Sequence, residues 1–526
     1  MPELRHETSA VHSWPISPRF CGTTVSLSSS VRHLAGVTSA IDPPAPLHAT
    51  ETAIALGHLK RGWYGRRMSD LTTLSAIELS KTIASGDASC VEVMDAFLEK
   101  IEAANPHVNA LVNLIPRDEC LNLAREADAA PSIAAGPEWL HGIPVAVKDL
   151  SRVKGLATTF GSRLFQDEIA TYDDPHVAHL RAAGAIIIGK TNVPEWGLGG
   201  HTDNPVFGLT RNAHDYQLSA GGSSGGAASA LASGMLSIAD GSDMMGSLRT
   251  PAAFQGLVGF RPTPGVVPLA PEMDSMELGL VSIGPMARNV ADASALFTTL
   301  SGRAPQTSAP NPLELSLAGL KIGWLGSAGG HWPIEPSILR YCEQALTVLA
   351  TAGAKVDACT SHQIPDLWPC WLALRQTALS PGKTLYQDPS KRPLMSNNWQ
   401  WEIEQGALLR RDDIGAAKQT QRAWQAELGE IFSQYDMLIA PTCQVHPFAS
   451  AEGIPHQIHG RSLDTYHRWL EVSLPASLGN LPVISMPIPG LLPQHMTGLQ
   501  LMMPPGSDQA LLSVAQDVET VLGRVI

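Results

Sequence analysis

"SAGGSSGGAASALASG", Ser219–Gly234, holds five glycines and five serines and lies inside an uncharged stretch from Tyr216 to Ala239. Three readings compete for such a run. A phosphate-cradling loop uses Gly-rich backbone amides at a helix start, but the Lys-Ser/Thr of a P-loop is missing. A nucleophile elbow needs G-x-S-x-G, which Gly221–Gly225 and Gly222–Gly226 both satisfy. It also needs an apolar strand leading into the turn, and the preceding "NAHDYQLSA" (Asn212–Ala220) is not one. A flexible linker has the same composition. Taken alone, the run favours the linker, because the composition is common there.

The flanking sequence narrows the choice. "GIPVAVKD" (Gly142–Asp149), "AIIIGK" (Ala185–Lys190) and "LKIGWLG" (Leu320–Gly326) read as buried strands. "AASALAS" (Ala227–Ser233) reads as a helix with Gly234 beyond its end, followed by the strand-like "MLSIAD". "RNVADASALFTTLSG" (Arg288–Gly302) is an amphipathic helix closed by glycine. Ser75-Ala-Ile-Glu78 has capping-box spacing; Val91, Met94, Leu98 and Ile101 share a helical face, and Asn105-Pro106 is expected to end that helix. The alternation predicts an α/β chain with a largely buried sheet flanked by helices.

Bulk properties agree with a large folded chain. The 526 residues are 44% hydrophobic and 16% charged, ample for a core and too weakly charged for disorder. A net charge of −13 and no basic patch argue against nucleic acid. The uncharged Tyr216–Ala239 segment is long enough to span a membrane, but its Gly-Gly pairs and hydroxyls make it a poor span. Seven scattered cysteines without a CxxC pair fit free thiols in a reducing, cytoplasmic setting. Cys443 reads as structural. No His/Cys/Asp cluster has metal-ligand spacing, so neither metal nor organic cofactor is expected.

Residues 1–67 are Ser-rich, carry +3, and show no sustained period, so a poorly ordered extension or translation from a start upstream of Met68 is expected. An organelle transit segment is the weaker alternative. Residues 365–435 hold Trp368, Trp371, Trp399, Trp401 and Trp424. They are expected to form a helical segment on the substrate side, with its tryptophans either packing helices together or walling a pocket.

Two further positions give the Gly-Ser run its context. Ser247 follows Ser223 by 24 residues within "SDMMGSLRTPAAFQGLVGFRPTPG" (Ser242–Gly265), and Lys148 precedes Ser223 by 75 residues. With "GIPVAVKD", "GGSSGG", "GSLRTPAAFQGLVGFRPT" and "GPMARNVAD" (Gly284–Asp292) in this order, the chain resembles the amidase signature family of serine hydrolases. "KTNVPEWGLGGHTDNPVFGLTRN" (Lys190–Asn212) and "GNLPVISMPIPG" (Gly479–Gly490) extend the resemblance from about Leu71 to the C-terminus.

The resemblance implies a single domain over 68–526, a large mixed sheet wrapped by helices. It also implies a Ser–Ser–Lys triad. Ser247 would be the acylated nucleophile, Ser223 a bridging serine after a cis peptide bond with Gly222, and Lys148 the general base. Burial would lower the lysine's pKa enough to supply a neutral amine. Oxyanion donors would be the backbone amides of Met244, Met245, Gly246 and Ser247. Relatives commonly carry Gly-Gly before the nucleophile, so Met245 narrows φ and adds a side chain to be housed. Asp243 and Arg249 could pair across this loop. Asp149 is expected to be structural, and His141, Glu195 and His201 have no assigned role.

The expected reaction is hydrolysis of a small-molecule carboxamide through an acyl-Ser247 intermediate. The alternatives are the glutamine-amidating chain of a tRNA-dependent amidotransferase complex and a non-catalytic amide-binding relative. For the free-standing enzyme a homodimer is the expected assembly, with no residue to carry it.

Overall fold

Strongly apolar pentamers and hexamers become the interior strands of two sheets. The computed structural model describes residues 71–130, 139–274, 278–302 and 316–525; the expected extension over 1–67 lies outside the described residues. Strands β1 (Leu111–Val112), β2 (Pro144–Lys148) and β3 (Ile186–Thr191) make a small sheet in the order β1-β3-β2. In it β2 runs parallel to β3, and β1 antiparallel. Every residue of β2 and β3 is buried, so the polar Lys148 and Lys190 are carried inside by their apolar neighbours.

The larger sheet is built from β4 (Ile238–Asp243), β5 (Val258–Arg261), β6 (Ser282–Ala287), β7 (Lys321–Trp324), β8 (Lys355–Ala358) and β9 (Met437–Pro441). A short hairpin, β10 (Gln457–Ile458) with β11 (Arg461–Ser462), stands apart, and β12 (Val483–Pro487) and β13 (Gly498–Met502) complete the set. The order is β4-β6-β5-β12-β13-β9-β7-β8, antiparallel throughout except for the parallel β9-β7 and β7-β8 pairs. Helices Arg249–Phe254, Val290–Leu300 and Asp508–Leu522 pack on these strands. The architecture is the mixed α/β sheet wrapped by helices that the resemblance implied.

The helix at Gly225–Ala232 is capped by Ser233, with Gly234 at φ 73° beyond it. The Ser75–Glu78 capping box forms, and Ser89–Glu92 forms a second. One boundary differs from expectation. The helix thought to stop at Asn105-Pro106 runs over Cys90–Val108 and closes on Asn109 in the left-handed conformation, φ 52°. Pro106 lies in the last turn, where its missing N–H removes one bond only. Asn105 meanwhile accepts the Ala110 and Leu111 N–H groups (2.9 Å each), tying the chain's exit to the helix end.

Residues 365–435 contain the helices Leu367–Leu379, Lys383–Gln387, Asn397–Gly406 and Arg411–Phe432. Trp368, Trp371 and Trp424 are buried in the main core, so for them packing is the role. Trp399 joins a separate apolar cluster with Leu198, Met395 and Ile403.

Candidate active site

The ends of β2 and β4 meet at Lys148. Its backbone N–H donates to Asp240 Oδ1 (3.0 Å), joining the small sheet to the large one. Its side chain is 1% exposed. Nζ lies 2.9 Å from Ser223 Oγ, 2.7 Å from Ser224 Oγ and 3.1 Å from the Ser242 carbonyl. Burial lowers the lysine's pKa to about 7, against the opposing pull of Asp240 and Asp243.

The small residues of the Gly-Ser run are required by close approach. A Cβ on Gly226 would sit 2.2 Å from the Asn192 backbone nitrogen. The Gly222–Ser223 peptide bond is cis, and the helix begins two residues after Ser223 at Gly225. No linker reading survives, because Ala220 to Leu231 are buried throughout.

Asp243 organises the loop before Ser247. It accepts the Gly246 N–H (2.8 Å) and the Leu248 N–H (3.1 Å), and it holds Arg249 through Nε (3.0 Å) and Nη2 (2.9 Å). Arg261 lies 3.8 Å away. Burial alone would raise this carboxyl's pKa. The charge and hydrogen bonds of Arg249, the charge of Arg261 and the Leu248 amide outweigh it and hold Asp243 well below the usual carboxylate range. The pairing of Asp243 with Arg249 is therefore a buried clamp and not a solvated surface contact.

The clamp occupies one expected oxyanion donor. The Gly246 N–H is committed to Asp243, because the residue turns at φ 88° to bring the amide onto the carboxylate. Met245, by contrast, is absent from the positive-φ residues, so a side chain there meets no backbone strain. It is 3% exposed and packs into the core.

Ser223, Ser247, Met244 and Met245 line one cavity of about 590 Å³. An aromatic group forms part of its wall: Phe160 stacks on Trp196 (4.6 Å between centroids), Phe165 meets Trp196 edge-on (5.4 Å), and Trp399 leans on Trp196 (5.0 Å). Only Trp399 comes from the 365–435 segment. Sequence reasoning missed the other three, although Trp196 stands within the family-like segment Lys190–Asn212. It also gave no role to Ser224 and Asp240, whose nearness to Lys148 arises only where the two sheets meet.

The unassigned residues sit in the framework. Asp149 faces Lys190 at 3.5 Å with both side chains fully buried. His141 bonds the Ala127 carbonyl (3.0 Å), Glu195 accepts the Ser396 N–H (2.7 Å), and His201 meets Ser219 Oγ (2.9 Å). Cys443 is buried, and burial pushes its thiol pKa up, away from nucleophilic use. Among the described residues, no group of three or more His, Cys, Asp or Glu is placed to hold a metal ion, and no helix is long and apolar enough to cross a membrane.

The family model described as Amidase matches residues 92–512. The chain belongs to the amidase signature family. It is similar to an acylamidase of Rhodococcus erythropolis, 31% identical over 469 residues that cover 86% of this chain and 96% of that protein. It is equally similar to one of the glutamyl-tRNA(Gln) amidotransferase subunits of Salinispora tropica, 31% identical over 502 residues, 87% of this chain and 99% of that one. Among solved structures, a bacterial aryl acylamidase of the amidase signature enzymes superposes with a TM-score of 0.74 at 25% identity, covering 85% of this chain and 96% of the other. A 6-aminohexanoate cyclic dimer hydrolase shares the fold at TM-score 0.74 and 24% identity, with 87% and 98% covered. This amidase-family chain is therefore an enzyme that acts on amide bonds.

Proposed function

We propose that the chain hydrolyses an apolar or aryl carboxamide through an acyl-Ser247 intermediate, with Lys148 as base and Ser223 as the bridge. The observation that carries this reading is the 2.9 Å contact from the buried Lys148 Nζ to Ser223 Oγ, with Ser223 and Ser247 lining the same cavity. As a neutral amine, Lys148 uses its two N–H bonds for Ser224 Oγ and the Ser242 carbonyl. Its lone pair then faces the Ser223 hydroxyl.

Ser247 Oγ attacks the amide carbon while its proton passes to Ser223 and the Ser223 proton passes to Lys148. The ammonium so formed is stabilised by the charges of Asp240 and Asp243. The oxyanion takes donors from the amides of Met244, Met245 and Ser247, with Gly246 holding the loop's shape. Collapse breaks the C–N bond, and the departing amine receives the proton back along the same path. Water attacks the ester by the same relay and releases the carboxylate.

The aromatic wall of Phe160, Phe165, Trp196 and Trp399 favours hydrolysis of apolar or aryl amides over a polar glutamine site. The six cysteines among the described residues are buried and free, which fits a reducing cytoplasm. Transamidation within a complex is the competing reading, since the Salinispora relative belongs to an amidotransferase. The test is the purified chain alone. Steady release of aniline from alkanoyl anilides, with fluorophosphonate labelling of wild type and not of Ser247→Ala, supports the proposal. Labelling that persists in Ser247→Ala refutes the nucleophile, and turnover only with added partners refutes the free-standing hydrolase.

A further inference from the structure

Three charged side chains line the cavity, and one is fully interior. Arg152 and Glu168 are partly or largely exposed, whereas Arg375 is 4% exposed. Arg375 Nε donates to Glu402 Oε1 (2.5 Å) and Nη2 to the Tyr466 hydroxyl (2.7 Å), which itself donates to Glu402 Oε1 (2.7 Å). The guanidinium carbon lies 5.9 Å from the Trp371 ring centroid and 6.0 Å from that of Tyr466, so the plane is held rigidly. Nη1 is different. Among the described residues it meets only the Met244 thioether, 3.7 Å away, a weak acceptor.

His467 lines the same cavity, is 1% exposed, and has no partner for either ring nitrogen among the described residues. Burial, reinforced by the charges of Arg375 and Arg468, keeps its pKa well below the ordinary value, so the ring is neutral. Buried polar groups without partners are costly. Here an imidazole without a partner and a guanidinium N–H held only by a thioether border a cavity of about 590 Å³, and a molecule entering it can serve both.

We propose that Arg375 and His467 form a subsite that reads a second, uncharged carbonyl group of the substrate, separate from the amide being cleaved. The carbonyl oxygen accepts from Arg375 Nη1. His467 offers one donor and one acceptor, so a second carboxamide satisfies it as well, oxygen to Nη1 and N–H to the ring. The charge of Arg375 is already matched by Glu402, which is wholly buried. A substrate carboxylate would therefore add unbalanced negative charge to the interior. An ammonium group would meet a donor-only guanidinium and be repelled. A hydrocarbon would leave Nη1 on the weak thioether alone and the imidazole unpaired.

This inference rests on the hydrolytic reading above and names its substrate class: amides with a second amide, ester or ketone carbonyl. The test compares matched anilides. Alkanoyl anilides are paired with oxo-alkanoyl anilides of equal length, the ketone placed at each chain position, and ring-isopropyl anilides with ring-acetyl ones. In wild type, at least one carbonyl partner exceeds its hydrocarbon match in kcat/KM by about ten- to a hundredfold, the effect of one hydrogen bond to a charged group. The matched ω-carboxylate compound gains nothing.

In the charge-balanced double variant Arg375→Met, Glu402→Gln, the ratio falls toward one; it is taken within the variant, so a change in absolute rate does not enter. If the double variant does not fold, His467→Phe replaces it and lowers the same ratio. Ratios within twofold of one at every position in wild type, or a preserved ratio in a folded variant, overturn the subsite while plain anilides still turn over. Absence of any acylation at Ser247 overturns the hydrolytic reading instead.

Discussion

The pH dependence of kcat/KM tests the lysine directly. A lysine with an ordinary pKa near 10.4 is neutral in only about one molecule in 2500 at pH 7. Lys148 is held at about 7 by burial, so about half the molecules carry the free amine there. With Lys148 as the proposed base, that displacement corresponds to a gain of about a thousandfold in reactive enzyme at neutral pH. It also fixes the profile. Initial rates of aniline release, measured from pH 5 to 10 at low substrate, should give kcat/KM that rises tenfold per pH unit below about 7 and levels off by about pH 8. At pH 5 the value should be about a hundredth of the plateau. The free histidine of the cavity, His467, titrates well below its ordinary range and so does not produce this limb. Asp240→Asn identifies the titrating group. It removes the first of the two charges that favour the ammonium while keeping an acceptor for the Lys148 N–H, so the midpoint should move to lower pH. A profile flat from pH 5 to 9, one still climbing at pH 10, or a midpoint unmoved in Asp240→Asn would refute the assignment of Lys148 as base.

Three further outcomes are expected. Ser224→Ala removes one acceptor from the Lys148 ammonium, worth about 1 kcal/mol, and should lower kcat/KM by about five- to tenfold in the anilide assay, with Ser247 still labelled by fluorophosphonate. Asp243→Asn leaves the buried Arg249 without its carboxylate and Arg261 without its nearest one and should destabilise the fold by about 3–5 kcal/mol, read from urea unfolding; an unchanged midpoint would count against the clamp. Gly246→Ala places a side chain at φ 88°, about 1–2 kcal/mol of strain, with its Cβ 3.1 Å from Thr250 Oγ1. Its acylation rate, followed by stopped-flow labelling, should fall more than its thermal stability does.

Much of this could be read from the residues, and the reason differs by element. Strands β2 and β3 announce themselves because they are buried on every residue, and the helix after the Gly-Ser run because Ser233 and Gly234 stop it. The Cys90–Val108 helix overran its expected end because a proline in a last turn disturbs one bond while Asn105 supplies two in return. The roles proposed for Lys148, Ser223 and Ser247 came from motif order and not from spacing, since positions 75 and 24 residues apart have no local geometry in common. What stayed hidden was created by tertiary meeting alone. Ser224 and Asp240 reach Lys148 only where β2 and β4 abut. The Phe160–Trp196–Trp399 wall unites three distant segments, and the Arg375–Glu402–Tyr466 triangle joins the helix of Trp399 to two more. The committed Gly246 amide was illegible for the opposite reason: a glycine in a motif suggests a free donor, whereas its turn delivers that donor to a carboxylate in the same loop.

The basicity of Lys148 and the stability of the fold pull against each other. Moving the lysine from 10.5 to about 7 makes its protonated form about 5 kcal/mol less favourable inside the protein. The unfolded chain binds the proton between pH 7 and 10.5 and the folded chain does not, so stability rises with pH across that interval. The penalty is complete below 7 and vanishes above 10.5. A site so arranged needs surroundings that cannot relax to admit water. The fully buried β2 and β4 provide this on two sides, and the Asp243 clamp on a third, since it draws Arg249 onto the Ser473 carbonyl and Gln500 of β13 as well as onto its own loop. The same carboxylate thus shapes the loop before Ser247, lies against two interior cations, and through its charge limits how far Lys148 falls. Were Asp243 merely an architectural residue, its loss would alter stability and leave the acid limb in place; because its charge also acts on Lys148, the two must shift together.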